Sequence, residues 1–364
     1  MKGRVLVAMS GGVDSSVAAA LLCEQGYDVV GVAMRLAPDA TAPVTKRRGT
    51  CCSHDDFEDA RRVSERLGFP FYVVDLRADF GARVIGNFVS EYLAGRTPNP
   101  CVMCNREIKF DRLWSRARAL DADFVATGHY ARISHDEAGH YHLLRAADPS
   151  KDQSYFLFTL GQQELSRTLF PLGAMLKSEV RERARALGLA NADKPESQEI
   201  CFVPDGDYAR FVERLAPEGA IREGRITDAD GKVLAEHGGI HRFTVGQRRG
   251  LGVAGGEPLY VNEIRPSSGE VVVGSRGQLN SRGLIARDVD FVDASALNDG
   301  DTEVEVKIRY RHPALPARLT ISSSRTAEVR FVSPGPAVTP GQACVFYRGD
   351  EVVGGGFIER ALRE

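Results

Sequence analysis

Two sets of residues in this chain have the types and spacing to do chemistry. The first is Val5 to Ser16, VLVAMSGGVDSS. Val5 to Met9 have the unbroken hydrophobicity of a strand covered on both faces. Gly11 and Gly12 carry no Cβ, so the backbone can turn sharply there and approach a ligand closely. Ser15 and Ser16 open an Ala- and Leu-rich stretch closed by Gly26, as a C′ glycine closes a helix. The unpaired N–H groups of that helix's first turn, with the Ser10 and Ser15 hydroxyls, form an expected anion site. Neither GxxxxGKS nor GxxxxGKT occurs, so no Walker lysine reaches a γ-phosphate. A glycine turn between strand and helix also occurs without a ligand. The full SGGVDSS at that junction favours nucleotide binding.

The second set is three cysteines. Cys101 and Cys104 lie in TPNPCVMCN, where two prolines predict a stiff, extended loop before a helix from about Asn105 to Leu120. Cys104 then falls near that helix's N-terminus, where the dipole favours the thiolate. Cys201 lies far away, in SQEICFVP. A lone CxxC reads as half a zinc site, a redox pair or two unrelated thiols. Cys51-Cys52-Ser53-His54 could complete a zinc site, but adjacent cysteines rarely both ligate one ion, so no resident metal is expected. Cys23 and Cys344 read as packing residues in a helix and a strand.

Alternating elements must position these groups. Strands are expected at Tyr27 to Met34, Phe69 to Leu76 and Asp123 to Gly128, with helices at Phe57 to Leu67, Phe80 to Leu93 and Lys177 to Gly188. That order implies a parallel sheet covered on both sides. Ligands of such sheets lie beyond the carboxyl ends of the strands, so Ser10 to Ser15, Met34, Gly128 and His129 should converge. Ala131 to Arg145 reads as a hairpin. After about Asp205 the pattern changes to glycine turns and short strands, at Lys232 to Leu234, Tyr260 to Ile264 and Glu270 to Val273. A second all-β block follows from Leu284 to Ile358, with turns at Asp299-Gly300 and Gly349-Asp350. The expected domains are 1–205, 206–279 and 280–364.

The totals fit a multidomain globular protein: 364 residues, 43% hydrophobic and 26% charged. No apolar run approaches the ~20 residues of a membrane span. Seven cysteines without a secretory signal suit a reducing cytoplasm. A net charge of −2 neither favours nor opposes nucleic acid, which would need local basic patches. Lys46, Arg47 and Arg48 form one such cluster, and Arg309, Arg311 and Arg318 alternate along another segment. Either is a solvated face or a phosphate contact.

SGGVDS resembles the pyrophosphate loop of the ATP pyrophosphatase superfamily, whose members adenylate a substrate oxygen. SGGVDSS, Met34, TPNPCVMCN, TGHYAR, KDQSYFL, SQEICF, RYRHP and GQACVFY resemble, in order and over nearly the whole chain, the tRNA-specific 2-thiouridylase (MnmA) family. The resemblance implies an adenine-nucleotide α-hydrolase-like α/β domain, a small β-rich central domain and a C-terminal β-barrel. It implies 2-thiolation of the wobble uridine of tRNA with ATP and a persulfide sulfur-donor protein. ATP would be held by Ala8, Met9, Ser10, Gly11, Gly12, Val13, Asp14, Ser15, Met34 and Gly128. Cys104 would be the nucleophile and Cys201 the persulfide carrier. Asn99 and Pro100 match residues that meet the target base, and Cys101 replaces the family's aspartate beside them. His129, Lys151, Asp152, Gln153, Arg309, Tyr310 and Gln342 match tRNA-contacting positions.

The chemistry follows from these parts. The C2 oxygen is a poor leaving group, so ATP adenylates it and pyrophosphate departs, with Asp14 helping to hold Mg²⁺. Sulfur from Cys201 then displaces AMP, and Cys104 and Cys201 end as a disulfide. One alternative holds an iron–sulfur cluster on Cys101, Cys104 and Cys201. Others are an amide-forming ligase of the same superfamily and a tRNA-binding protein with ATP as a structural ligand.

Overall fold

The computed structural model describes residues 2–36, 54–195, 200–253, 257–293, 301–323 and 325–363. Lys46 to Arg48, Cys51, Cys52 and the turn at Asp299-Gly300 lie outside them. The chain divides into two compact units, one of residues 1–85, 101–206 and 350–352, the other of 86–100, 207–349 and 353–364.

The first unit is built on β1 (Arg4–Ala8). Its Val5, Leu6 and Val7 are wholly buried, as an apolar run flanked by parallel neighbours must be. It pairs in parallel with β2 (Asp28–Arg35) on one side, Leu6 opposite Val30. After α1 (Val13–Glu24), α2 (His54–Leu67), β3 (Phe71–Asp75) and α3 (Arg77–Phe80), the chain passes through α4 (Gly86–Leu93), which belongs to the second unit. It returns as α5 (Pro100–Cys104) and α6 (Asp111–Ala119) before β4 (Phe124–Ala126), the other neighbour of β1. A hairpin of β5 (Arg132–His135) and β6 (Tyr141–Leu144) follows, then α7 (Gln162–Leu165), β7 (Thr168–Leu169) and α8 (Lys177–Ala186). The sheet runs β3-β2-β1-β4-β7 and is parallel throughout. Val17, Ala18 and Leu22 of α1 pack into the core formed by Val5, Val7, Val29 and Ala126. A leucine buried as completely as Leu22 contributes about 1.5–3 kcal/mol.

Two expectations shift. The helix expected from Phe80 begins at Arg77 and includes a π-helical turn, Gly81–Ile85. TPNPC is not extended throughout, since helix begins at Pro100 and passes through a π-helical run, Asn105–Phe110, into α6. A proline suits the first helical position because its missing N–H would have no partner there. Cys101 and Cys104 therefore lie within the helix, on neighbouring turns of one face.

In the second unit α9 (Tyr208–Leu215) packs with α4: Tyr208 stacks on Tyr92 at 4.7 Å, and Phe211 meets Phe88 edge-on at 6.1 Å. A four-stranded sheet follows from β8 (Gly224–Thr227), β9 (Val233–His237), β10 (Tyr260–Arg265) and β11 (Glu270–Gly274), in the order β10-β11-β8-β9. Its core is Ile226, Phe243, Val261, Val271 and Val273. Strands β12 (Ser281–Phe291), β13 (Thr302–Lys307), β14 (Leu315–Ser323), β15 (Thr326–Gly335), β16 (Ala343–Arg348) and β17 (Glu351–Leu362) close into a barrel, because β12 pairs with both β15 and β17. Inward residues alternate along β13, where Thr302, Val304 and Val306 are buried. The α/β sheet, the small β-rich block and the terminal barrel are all present. Among the described residues no helix is long and apolar enough to cross a membrane.

Candidate functional site

The carboxyl ends of β1, β2 and β4 meet at the glycine loop. Met9 N–H donates to the Val32 carbonyl at 2.8 Å, and Ala8, Met9 and Met34 are buried along this edge. Gly128, just past β4, touches the first turn of α1. A Cβ there would lie 2.7 Å from the Ser15 nitrogen and 2.8 Å from the Asp14 carbonyl carbon, both immovable backbone. The convergence expected of Ser10 to Ser15 with Gly128 is thus a contact. Gly12 is the N-cap of α1 and supplies no side-chain acceptor, so this helix has no side-chain cap over its first N–H groups. These groups suit a phosphate.

The serine hydroxyls act differently from expectation. Ser15 is buried, and its Oγ donates to the Gly12 carbonyl at 3.1 Å while accepting from Ser10 N–H at 3.2 Å. It shapes the loop, whereas Ser10 is exposed.

Asp14 is also engaged. Both its oxygens accept from Lys177 Nζ, at 2.7 and 2.8 Å, and Tyr130 O–H donates to Oδ1 at 2.8 Å. Lys177 is 9% exposed at the start of α8 and sits 5.7 Å from the centre of the Tyr130 ring. In this structure the counter-ion of Asp14 is Lys177, so a role with magnesium requires an exchange of partners. Nothing in the sequence pattern marked Lys177, and Tyr130 was visible only as part of TGHYAR.

Tyr130 is itself held by the KDQ segment. Gln153 Oε1 accepts from Tyr130 N–H at 3.0 Å, and Gln153 N–H donates to the Tyr130 carbonyl at 2.8 Å. Asp152 is buried, its carboxylate accepting from the Ala146 and Ser154 N–H groups at 3.1 Å each and from Ser154 O–H. These two residues fix their own loop, and Lys151 beside them is half-buried. His129 is buried, with Nδ1 2.7 Å from Thr127 Oγ1 and its ring stacked on Phe110. Burial, aided by the Lys109 charge, holds its pKa well below the usual value and keeps the ring neutral.

On the cysteine helix Cys101 is exposed and Cys104 half-buried, as is Cys201. Next to Cys104, Asn105 is buried and its Nδ2 donates to the Phe156 carbonyl at 3.1 Å, anchoring the helix. Among the described residues, no three His, Cys, Asp or Glu side chains are gathered to hold a metal, Cys101, Cys104 and Cys201 included. Cys23 and Cys344 fit packing roles. Burial raises both thiol pKa values, that of Cys344 to about 12.

The unit boundary falls between Pro100 and Cys101, so Asn99 and Pro100 belong with the barrel's unit. There Gln342 Nε2 donates to the Thr97 and Pro98 carbonyls at 2.9 and 3.2 Å. Thr97 N–H donates to the Pro340 carbonyl at 2.8 Å, and Thr97 Oγ1 lies 3.0 Å from Thr244 Oγ1. Asn99 follows, half-buried, with Pro100 buried. Arg309 Nη2 donates to Thr339 Oγ1 at 2.7 Å and to the Ala337 carbonyl at 3.2 Å. Tyr310 has Lys307 Nζ 5.7 Å from its ring centre.

Residues 3–205 match the tRNA methyl transferase HUP domain, 210–275 the tRNA methyl transferase PRC-barrel domain and 281–358 the aminomethyltransferase β-barrel domain. A tRNA-specific 2-thiouridylase MnmA of Geobacter metallireducens is 53% identical over 363 residues, covering 99% of this chain and 98% of its own. The chain belongs to the tRNA-specific 2-thiouridylase family. A second member, from Solibacter usitatus, is 52% identical over 98% of this chain and 99% of its own. A 4-thiouridine synthetase bound to RNA and ATP is 17% identical with a TM-score of 0.38, covering 59% of this chain and 51% of that one, a likeness too slight to bear on function. Membership of a family of enzymes removes the readings as amide-forming ligase and as passive tRNA-binding protein.

Proposed function

We propose that this protein converts the wobble uridine of tRNA to 2-thiouridine, using ATP and a sulfur-donor protein that delivers persulfide sulfur. The observation that carries the reading is the uncapped first turn of α1 with Gly128 seated against it, in a chain 53% identical to a 2-thiouridylase. The N–H groups of that turn would receive the phosphates, with Ala8, Met9 and Met34 walling the nucleotide. The C2 oxygen of uridine attacks the α-phosphorus and pyrophosphate leaves, carrying the Mg²⁺ that came with ATP. Asp14 would exchange Lys177 for that ion while Lys177 turns to the phosphates, both helping to offset the charge that builds there.

Sulfur transfer would then use the two cysteines. The terminal sulfur of a Cys201 persulfide attacks C2, and the C2–oxygen bond breaks to release AMP. The Cys104 thiolate attacks Cys201 Sγ, leaving sulfur on the base and a Cys104–Cys201 disulfide, which an external thiol reductant reopens. The uridine must leave the anticodon stack to reach these groups. Asn99 and Pro100 would meet the base, and Lys151, Tyr310 and Arg309 the tRNA backbone. A guanidinium has five donors, so the bonds made by Nη2 of Arg309 are compatible with a phosphate contact. A reducing cytoplasmic setting suits such thiols.

Incubation with ATP, a sulfide or persulfide source and unmodified tRNA, followed by nucleoside mass analysis, tests the reading. 2-Thiouridine should form with release of AMP and pyrophosphate. With persulfide as donor, Cys104→Ser and Cys201→Ser should each abolish it, and Cys101→Ser should retain substantial activity. Full thiolation by Cys201→Ser from a persulfide donor would overturn the persulfide route.

A further inference from the structure

Asp14 serves the first step of the proposed reaction and Cys104 the last, yet contacts within the first unit tie both to one short turn, Ser154–Phe156. On one side Asn105, the residue after Cys104, donates from Nδ2 to the Phe156 carbonyl at 3.1 Å. On the other side Gln153 opens the turn, its carbonyl accepting from Phe156 N–H at 2.9 Å. Gln153 Oε1 accepts from Tyr130 N–H at 3.0 Å, and Gln153 N–H donates to the Tyr130 carbonyl at 2.8 Å. The Tyr130 hydroxyl in turn donates to Asp14 at 2.8 Å. Each link from the nucleotide loop to the cysteine helix is thus a hydrogen bond or a short run of described chain.

The turn is held firmly. Ser154 and Tyr155 are wholly buried, and the Asp152 carboxylate accepts from Ser154 N–H and O–H at 3.1 Å each. Close packing leaves such a turn little room to shift. Asn105 is 2% exposed, and its Oδ1 is buried with no hydrogen-bond partner. An orphaned buried oxygen is costly, so stability alone does not account for an amide here. What the amide supplies is a donor to Phe156, at the first residue of the π-helical run and next to Cys104. Single π-helical turns within α-helices are frequent at functional sites.

We propose that Asn105 is a positioning residue for sulfur transfer, fixing the Cys104 sulfur to the turn that also holds Tyr130 against Asp14. The proposal rests on the function given above. There the Cys104 thiolate attacks Cys201 Sγ, and a thiolate displaced by about an ångström reacts far more slowly. Asn105 touches no reacting atom and acts only through the place of Cys104. It therefore matters for a persulfide donor and not for free sulfide. Sulfide, as HS⁻, attacks C2 itself: the C2–oxygen bond breaks, AMP leaves, the sulfide proton goes to solvent, and no thiol is oxidised.

The test is a single turnover of unmodified tRNA with ATP, run once with a cysteine-persulfide donor and once with inorganic sulfide. Pyrophosphate and 2-thiouridine are counted in the same samples, and thermal unfolding of each variant is read alongside. Asn105→Ala should slow persulfide-driven thiolation by about tenfold or more, while pyrophosphate release and sulfide-driven thiolation stay within about twofold of the unsubstituted protein. Asn105→Ser, whose hydroxyl is too short to reach the Phe156 carbonyl, should show the same split and carries the test if the alanine variant folds poorly. Equal loss with both donors, in step with lowered thermal stability, would make Asn105 a structural residue and overturn the proposal. Undiminished persulfide-driven thiolation by either variant would overturn it too. Failure of the unsubstituted protein to form 2-thiouridine from either donor would overturn the proposed function itself.

Discussion

The glycine loop and the segment before Asn99 are both strips of backbone fixed for use, and they are fixed in opposite ways. In the loop, Asn191 and Lys194 take up a carbonyl, leaving the N–H groups of α1 without a side-chain cap. Around Thr97 and Pro98 one side chain, Gln342, takes two successive carbonyls, and Asn99 comes next in the chain. The first strip offers backbone to an anion; the second offers the side chain that follows it. Several residues expected to reach toward RNA are holders on this reading. Gln342, Asp152 and Gln153 all bond their own chain.

The largest effect should come from closing the first strip. Gly128→Val pushes a side chain into the Ser15 nitrogen, and pyrophosphate release should fall by about 100-fold. Filter binding of tRNA should be retained, because the barrel's unit is untouched. Normal turnover by this variant would remove the loop from the site.

Gln342→Ala probes the second strip. Releasing the Thr97 and Pro98 carbonyls should lower thiolation by about tenfold while ATP binding stays intact, the scale of one or two lost hydrogen bonds. Uniform loss of tRNA affinity with wild-type turnover at saturation would instead make Gln342 a direct contact.

Lys177→Met asks what holds Asp14. The Asp14 side chain is 29% exposed, so the loss of its cation should cost about 1–3 kcal/mol in urea unfolding, less than for a fully buried pair. Asp14→Asn in the same chain should recover most of that loss, and unrecovered stability would show that Lys177 acts through packing.

The smallest effect is a pH slope. His129 has its pKa lowered by burial, so the unfolded chain binds a proton that the fold does not. Stability should therefore be steady above about pH 6.5 and fall below it, by at most about 1.4 kcal/mol per pH unit. His129→Asn should remove that part of the slope in equilibrium unfolding at pH 5 to 7.

Legibility in the sequence followed the same contrast. VLVAMSGGVDSS was readable because strand, turn and helix start are neighbours and each has its own local signal. Gly128 was placed correctly by topology, since parallel strands end at one edge. The start of the cysteine helix was misread because proline has two uses, breaking a helix or opening one, and PNP does not say which. Lys177, Asn191 and Lys194 left no signal. Each meets its partner across more than a hundred positions, through contacts that no periodicity encodes. Ser15 was identified, but the sequence does not say that its hydroxyl bonds the loop's own backbone, because a hydroxyl can donate inward as readily as outward.

The π-helical run Asn105–Phe110 immediately after Cys104 acts as a phase shift. Successive residues of an α-helix are offset by about 100°, and a π turn carries one residue more than an α turn. Leu113 and Ala117 are buried and fix the rotation of the later half of the helix. The bearing of Cys101 and Cys104 is thus set by counting residues from that anchor, and removing a single residue from Asn105–Phe110 would swing both thiols round by about a quarter turn.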